Sequence, residues 1–472
     1  MLDFSAFPGK KDFLAFFEKI SKIPRGSGNT THIADYLENF AKERGLEYKR
    51  DAYDNLIIVK PAAKGYDDTP AVILQAHTDM VIATDKSFSA NSEKDGVDIF
   101  LDGDFLRARG STLGADNGMG VAFILAILDA DNISAPKIEA VFTSNEEIGL
   151  LGAAALDTST LTGKTYINLD AGPDGIFIAG CAGGVRIDIT SEYETKVTNE
   201  YYSIKISGLR GGHSGEKINE QRANAIKLIG EIVGDGVSIG DLIGGSADNA
   251  IADCAEFKIF PLSDTEEKIK ALKIKYKEKE KNISVECIHK REKATLFTLE
   301  DSKRLISLIN TLHYGPISMN ENIPTLVESS MNLGIITTVG GRVTLSTSVR
   351  SSSEKKLADI SERVYAIARE HRADCAASGA YPGWEFSQSS SIRDILSETY
   401  REISGKDAKI ITIHAGLECG IFKSKIEELD AISMGPLSYD IHTPSERASV
   451  PSAIKTYELL LTALKKLKGT KL

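Results

Sequence analysis

Several acids and histidines stand where apolar runs end, and their types and spacing could hold a metal ion. His77 and Asp79 close the run Ala71-Val-Ile-Leu-Gln-Ala-His77-Thr-Asp79. In an extended segment, residues i and i+2 share a face. A carboxylate beside an imidazole can fix its tautomer and raise its basicity as a metal ligand; a polar strand end facing water is the plain alternative, and both readings stand on this cluster alone. Asp116 lies in Gly110-Ser-Thr-Leu-Gly114-Ala-Asp116-Asn117-Gly118, ahead of the apolar run Val121 to Leu128. An acid in that position is ordinarily a helix cap, although flanking glycines also allow close backbone approach to a bound group.

Glu146 and Glu147 follow the apolar run Ile138 to Thr143. Adjacent strand residues point to opposite faces. One of the pair can therefore bind a cation while the other faces a bound water, an arrangement that generates hydroxide and shuttles its proton. The spacing does not say which does which. Asp170 follows Tyr166 to Leu169, and His442 lies far downstream in Tyr439-Asp-Ile-His442-Thr-Pro-Ser-Glu446. A lone histidine there would ordinarily be structural. Taken together, histidines and carboxylates without thiolates suit zinc, manganese or cobalt in a hydrolytic site. With one carboxylate bridging, the set is large enough for two metals.

The elements that must position these residues are legible as periodic runs. Lys11 to Lys22 and Thr31 to Arg44 read as amphipathic helices, with Thr31 as the cap of the second. Leu56 to Val59, Ala71 to Gln75, Ile138 to Thr143 and Tyr166 to Leu169 read as strands, and Val121 to Leu128 as a buried helix. This alternation implies an α/β layer with a mostly parallel central sheet, and such sheets place their sites just beyond the strand C-termini. Between about Val185 and Tyr381 the strands alternate apolar and polar residues, as in Tyr202 to Ile206 and Val343 to Val349. Lysine-rich helices such as Glu266 to Lys281 lie between them. That is an α+β pattern. Tyr201 to Val233 and Val343 to Glu370 both run strand, loop, helix, which suggests an internal duplication. The last 90 or so residues return to the first style, with helices at Ser389 to Ile403 and Ile454 to Lys466 and strands at Lys409 to Ile413 and Ile432 to Met434. The expected plan is one α/β domain made from residues 1–185 and 383–472, with a smaller α+β lid domain, residues 186–382, inserted in it.

The chain has 472 residues, enough for about three units at roughly 150 residues each, though one or two large domains fit as well. Its formal net charge of −11 disfavours nucleic acid and anionic membranes as partners. Five scattered cysteines argue against a disulfide framework and against a CxxC zinc site. Acid and lysine interrupt the N-terminal run where a signal peptide needs an apolar core, and Val121 to Leu128 is too short to span a bilayer. A cytoplasmic protein is expected.

The runs HTDMV, GADNGMG, SNEEIGLLGA, NLDAG and IHTPSE occur in this order. With them the chain resembles the M20 metallopeptidase family, and within it the aminoacyl-histidine dipeptidases, also called Xaa-His dipeptidases or peptidase D. GLRGGHSGEKI and HAGLECG are similar to that subfamily as well, and the resemblance covers nearly the whole chain. It implies a zinc-peptidase-like fold and two divalent metals, zinc first, with manganese or cobalt as alternatives. His77 and Asp170 would hold one metal, Glu147 and His442 the other, and Asp116 would bridge them. Asp79 would orient His77, and Glu146 would be the general base. His213, otherwise a residue of a surface turn, would polarise the scissile carbonyl from the lid. Asn249 and Arg350 would bind substrate; a planar guanidinium can also grip a free α-carboxylate by two hydrogen bonds. Gly416, in His414-Ala-Gly416-Leu-Glu418, would belong to a substrate loop, with simple structural roles open for His414 and Glu418. His32, His289, His313 and His371 have no supporting neighbours and read as surface residues. The activity implied is hydrolysis of unblocked dipeptides, Xaa-His among them, in a monomer or homodimer. An N-acyl amino acid amidohydrolase of the same family and a metal-binding homologue without catalysis are the alternatives.

Overall fold

The computed structural model describes residues 2–85, 92–320 and 323–469. The chain forms two compact units. Residues 1–180, 386–412 and 417–472 make the first; residues 181–385 and 413–416 make the second.

The first unit is built on an eight-stranded sheet. Its order is Glu47–Arg50, Leu56–Lys60, Ile138–Thr143, Val72–His77, Thr165–Asn168, Asp430–Ser433, Ile176–Cys181 and Lys409–Ile413. The four central strands, from Ile138–Thr143 to Asp430–Ser433, pair in parallel. Glu47–Arg50 and Leu56–Lys60 on one side, and Ile176–Cys181 on the other, are antiparallel. The sheet is therefore mixed, and the parallel expectation holds for its centre. Every residue of Val72–His77 and Ile138–Thr143 is buried. That fits parallel strands covered on both faces, whose sequences read as continuous apolar runs.

The helix Ala115–Asp129 is apolar on all sides, and Val121 to Leu128 is wholly buried. A helix of that composition belongs inside the molecule. It packs beneath Phe13–Ser21, and the ring of Phe123 lies 4.7 Å from Phe13 and 5.5 Å from Tyr457. Tyr457 lies on the closing helix Val450–Lys466. One ring cluster thus joins both ends of the chain to the helix that begins beside Asp116. Thr31 is not the cap of the second helix. Thr30 occupies that position without a side-chain cap bond, and the Thr31 hydroxyl donates instead to Asp54 at 2.8 Å. A small second sheet, ordered Ser438–Tyr439, Arg447–Ser449, Phe105–Ala108 and Ile99–Asp102, anchors both ends of the loop that carries His442.

The second unit carries a sheet in the order Ser284–Lys290, Tyr201–Ser207, Ala255–Phe260, Ser238–Gly244, Val327–Val339, Arg342–Ser351, Gly183–Glu192 and Asp374–Tyr381. A ninth strand, Gly315–Met319, pairs with Val327–Val339. The order resolves into two β-α-β-β-α-β repeats. One runs from Tyr201 to Lys290, with helices Ala225–Ile232 and Thr265–Tyr276. The other uses Gly183–Glu192 as its first strand and continues from the helix Leu299–Thr311 through Glu354–Glu370 to Asp374–Tyr381. The first repeat is inserted into the second. Their second strands, Ser238–Gly244 and Val327–Val339, meet antiparallel, with Ile243 opposite Thr337. All four helices contribute to one apolar core with the sheet.

The topology therefore repeats, but Tyr201 to Val233 and Val343 to Glu370 are not counterparts. The former is the first strand and first helix of one repeat; the latter is the third strand and second helix of the other. Among the described residues no helix is long and apolar enough to cross a membrane.

Truncating Phe123 to alanine removes the ring shared by three helices, and Phe→Ala changes in a close-packed core cost about 3–5 kcal/mol. Denaturant titration of Phe123→Ala should show a loss of that order. A loss below about 1 kcal/mol would mean that the cluster does not hold the termini to the core.

Candidate metal centre

The parallel register brings the chemistry to one level. His77 is opposite Thr143, and Gln75 is opposite Asn168. The residues just beyond those strand ends, Glu146, Glu147 and Asp170, therefore emerge beside His77. Asp116 starts the buried helix, and its peptide to Asn117 is cis. His442 lies in the loop between Ser438–Tyr439 and Arg447–Ser449.

His77 Nε2 lies 3.2 Å from Asp116 Oδ1 and 3.3 Å from Asp170 Oδ1. His442 Nε2 lies 3.3 Å from Asp116 Oδ2 and 2.9 Å from Glu147 Oε1. Asp116 thus gives one oxygen to each imidazole. His77, Asp116 and Asp170 form one possible donor set, and Asp116, Glu147 and His442 form another. His77, Glu146 and Glu147 form a third, so geometry alone does not separate ligand from base in the glutamate pair.

These residues fit divalent cations. Donors about 2.0–2.1 Å from a tetrahedral ion lie about 3.3–3.4 Å apart, close to three of the four separations above. Glu147 Oε1 is buried and, apart from the close approach of His442 Nε2 at 2.9 Å, no other group among the described residues satisfies it. Charge points the same way. Burial pushes the Asp170 carboxyl up to about 8, with Asp116 adding to the rise and His77 opposing it. Burial opposes ionisation of Asp116, yet hydrogen bonds from His442 and His77 hold it well below the usual carboxylate range. Hydrogen bonds to Asp116 and Glu147 raise His442 to about 10. Burial disfavours charge on His77, but Asp170 and Asp116 raise it well above an ordinary histidine. The cluster gathers four carboxylates, Asp116, Asp170, Glu146 and Glu147, around two imidazoles, a charge that divalent cations would balance.

The surrounding residues fix the donors. Asp79 is fully buried, and its carboxylate accepts from the backbone amides of Glu146 at 3.0 Å and Glu147 at 3.3 Å, and from Ser27 at 2.7 Å. His77 Nδ1 approaches the Asp79 carbonyl at 3.1 Å and its carboxylate at 3.6 Å. Asp79 therefore ties the glutamate loop to the His77 strand. Burial raises Glu146 well above an ordinary glutamate, the direction expected of a group that must accept and return a proton near neutrality.

Sequence reasoning missed two residues here. Glu446, 2% exposed, accepts from the backbone amides of Leu113, Gly114 and Ala115 at 2.7–2.9 Å, and from Asp116 at 3.4 Å. Arg25, equally buried, donates to the carbonyls of Gly114 and Thr78. Burial lowers Arg25 to about 10, opposed by Glu446, Asp79 and Asp116. Glu446 stood in the IHTPSE run but carried no role, and nothing in the spacing marks Arg25. Beneath the cluster, Glu418 is fully buried and accepts from Gln75 at 2.5 Å and Thr143 at 2.9 Å. Burial lifts it to about 7.

The second unit gathers its own set. Arg350, 7% exposed, donates to the Tyr381 hydroxyl at 2.7 Å, while its Nε has no partner. A Cβ on Gly416 would sit 2.7 Å from the Tyr381 ring, so glycine is what permits that approach. His414 Nε2 meets the Ser330 hydroxyl at 2.7 Å, and burial, with Arg350 nearby, lowers it to about 3. His213 bridges Ala250, and the following amide of Ser214 donates to the Asn249 carbonyl at 2.7 Å. His213 Nδ1 is buried without a partner, and burial followed by Arg350 lowers its pKa. His213, Asn249, Arg350 and Gly416 thus lie among connected segments of this unit. Tyr381 and Ser330 are members that the sequence did not reveal. Of the remaining histidines, His32, His289 and His313 are exposed and His371 is half-buried.

A family model described as peptidase family M20/M25/M40 matches residues 73–466. The chain belongs to this family. Cytosol non-specific dipeptidase of Escherichia coli K12 is 32% identical over 469 residues, covering 96% of each protein. The crystal structure of aminoacylhistidine dipeptidase from Vibrio alginolyticus superposes with a TM-score of 0.88 at 31% identity, over 98% of this chain and 97% of that one. Aminopeptidase PepT from Bacillus cereus shares the fold at 17% identity, with a TM-score of 0.58 over 97% of this chain and 98% of its own. The matched residues include the whole donor cluster described above.

Replacing Glu446 with alanine leaves buried amides without their acceptor and Arg25 without its first counter-charge. Breaking such a buried arrangement costs about 3–5 kcal/mol. Glu446→Ala should melt lower and bind divalent zinc more weakly by calorimetry. Wild-type melting and affinity would show that the Asp116 loop holds its shape unaided.

Proposed function

We propose that this protein is a metal-dependent dipeptidase that hydrolyses unblocked dipeptides, Xaa-His among them. The observation that carries the reading is Asp116, whose two oxygens are divided between His77 and His442 in a donor set built for two cations. The dipeptidase names of the E. coli and Vibrio relatives support it. In this reading His77 and Asp170 would hold one ion, Glu147 and His442 the other, and Asp116 would serve both. Zinc suits these donors, with manganese and cobalt as alternatives. A cytoplasmic setting follows the E. coli relative.

When bound, the ions supply Lewis-acid activation of a water and of the peptide carbonyl. Glu146 accepts the proton of that water and passes it to the departing amine. Burial raises its pKa above that of an ordinary glutamate, which makes it a better proton acceptor than an exposed carboxylate. Asp79 keeps Glu146 in place through its backbone amide, which leaves the Glu146 side chain free to move the proton. His213, Asn249, Arg350 and Gly416 make up the proposed substrate-binding set. His213 is kept neutral by its surroundings and can donate one hydrogen bond to a carbonyl oxygen. Arg350 offers a guanidinium to an α-carboxylate.

The metal-loaded protein should cleave Ala-His and Leu-Gly and leave N-acetyl amino acids intact. Cleavage of the acylated set alone would make it an amidohydrolase, and metal binding with no hydrolysis would make it a binding protein. Glu146→Gln should keep its metals and lose on the order of 10²–10⁴-fold in kcat; near-normal turnover would remove Glu146 from the mechanism.

Arg350→Ala should raise KM for free dipeptides far more than for their C-terminal amides, because only the free acid offers a bidentate partner. Equal losses on both substrates would assign Arg350 to the fold of its unit.

A further inference from the structure

The loop from Ser144 to Gly152 carries both glutamates, and its ends meet. The Gly152 amide donates to the Ser144 carbonyl at 3.0 Å, and the Leu151 amide donates to that of Asn145 at 3.1 Å. Compact loops with joined ends are a recurring way to present functional side chains. Between the ends the backbone takes a course that few residues accept unaided. Asn145 and Leu150 lie at φ 53° and 59°, the left-handed region where a side chain such as leucine crowds the main chain. The surroundings must hold the ends for such a course to persist.

Asn55 holds them. It is fully buried and stands just before the strand Leu56–Lys60, far from the loop in sequence. Its Oδ1 accepts from the Ser144 amide at 3.0 Å, and its Nδ2 donates to the Gly152 carbonyl at 3.0 Å. One side-chain amide thus spans the loop from end to end, an acceptor for one side and a donor for the other. Asp51 fixes which way that group faces. Its Oδ2 accepts from Asn55 Nδ2 at 2.7 Å, and its Oδ1 accepts from the Asn55 backbone amide at 3.0 Å. The fit is close. A Cβ on Gly152 would collide with the Ser144 carbonyl oxygen and sit 2.5 Å from Asn55 Oδ1, so glycine is what lets both ends and the clamp share one space. All of these residues belong to the first unit.

The two glutamates depend on this clamp unequally. In the proposed reading an ion would hold the Glu147 side chain, whereas the Glu146 carboxylate is placed by the backbone that carries it. Asp79 grips that backbone at its middle, through the amides of Glu146 and Glu147. Asn55 secures its ends. We propose that Asn55 is a positioning residue for the reaction: by closing the loop it aims the Glu146 carboxylate at the water that gives up its proton. The proposal rests on the dipeptidase reading and deepens it.

The test measures kcat and KM for Leu-Gly with the zinc-loaded wild type, Asn55→Ala and Asn55→Asp, each with and without Glu146→Gln. Zinc content is read for every preparation. Asn55→Ala frees both ends of the loop. Asn55→Asp keeps an acceptor for the Ser144 amide and replaces the donor to Gly152 with an oxygen that repels its carbonyl, so it serves as the test should the alanine variant not fold. Asn55→Ala should lose about 10- to 100-fold in kcat, the scale on which a displaced catalytic group costs rate, with KM within about 3-fold and zinc content unchanged. Asn55→Asp should lose kcat in the same way. In the Glu146→Gln background either substitution should cost less than about 2-fold more, because a residue that acts through Glu146 then has nothing to position. Amide hydrogen exchange of the metal-free chains should quicken across residues 144–152 and keep the wild-type rate in Val72–His77. Unchanged kcat, equal losses in both backgrounds, or wild-type exchange in the loop would each overturn the proposal and leave the dipeptidase reading standing. No hydrolysis of Leu-Gly or Ala-His by the loaded wild type would overturn both.

Discussion

The site depends on how Asp116 is held. A carboxylate that serves two imidazoles must sit between them with both oxygens aimed, and a single peptide rotation would lose one. Glu446 prevents that by taking the amides that lead into Asp116, while Arg25 grips a carbonyl of the same loop from the other side. Glu446 lies four residues beyond His442, so the segment that brings the second imidazole also clamps the carboxylate shared by both. The parallel strands answer the same demand. They deliver His77, the glutamate pair and Asp170 at one level, so Asp116 has to be placed only once.

Like charges impose a second constraint. Burying Asp116, Asp170, Glu146 and Glu147 around two histidines is unfavourable unless cations or protons enter. The shifts reflect this: both imidazoles, Asp170 and Glu146 go up, while Asp116 and Asp79, which meet the imidazoles, go down. Divalent cations at the donor sets would supply the positive charge that offsets this crowding.

Much of this was legible because the reactive residues sit at the ends of strongly apolar strands, where composition changes abruptly. His77, Glu146, Glu147 and Asp170 announce themselves that way, and the helix beside Asp116 shows in its unbroken apolar run. What stayed hidden was held by long-range contact. Glu446 and Arg25 act on main-chain atoms, which leave no trace in residue spacing. The antiparallel margins of the first sheet follow from pairing and not from strand composition. Thr31 looked like a cap because threonine ordinarily is one, but Asp54, 23 residues away, claims its hydroxyl. The repeat in the second unit was sensed from its rhythm and matched wrongly, since strand order is invisible until partners are known.

The antiparallel meeting of Ser238–Gly244 with Val327–Val339 is how two identical subunits would join across a dyad. In a symmetric pair, any substitution is made twice, and both halves must tolerate it. Joining the halves in one chain lifts that obligation. His213 lies in one repeat and Arg350 in the other, so the two halves need not carry the same residues. The two repeats thus share a topology and differ in the residues they present.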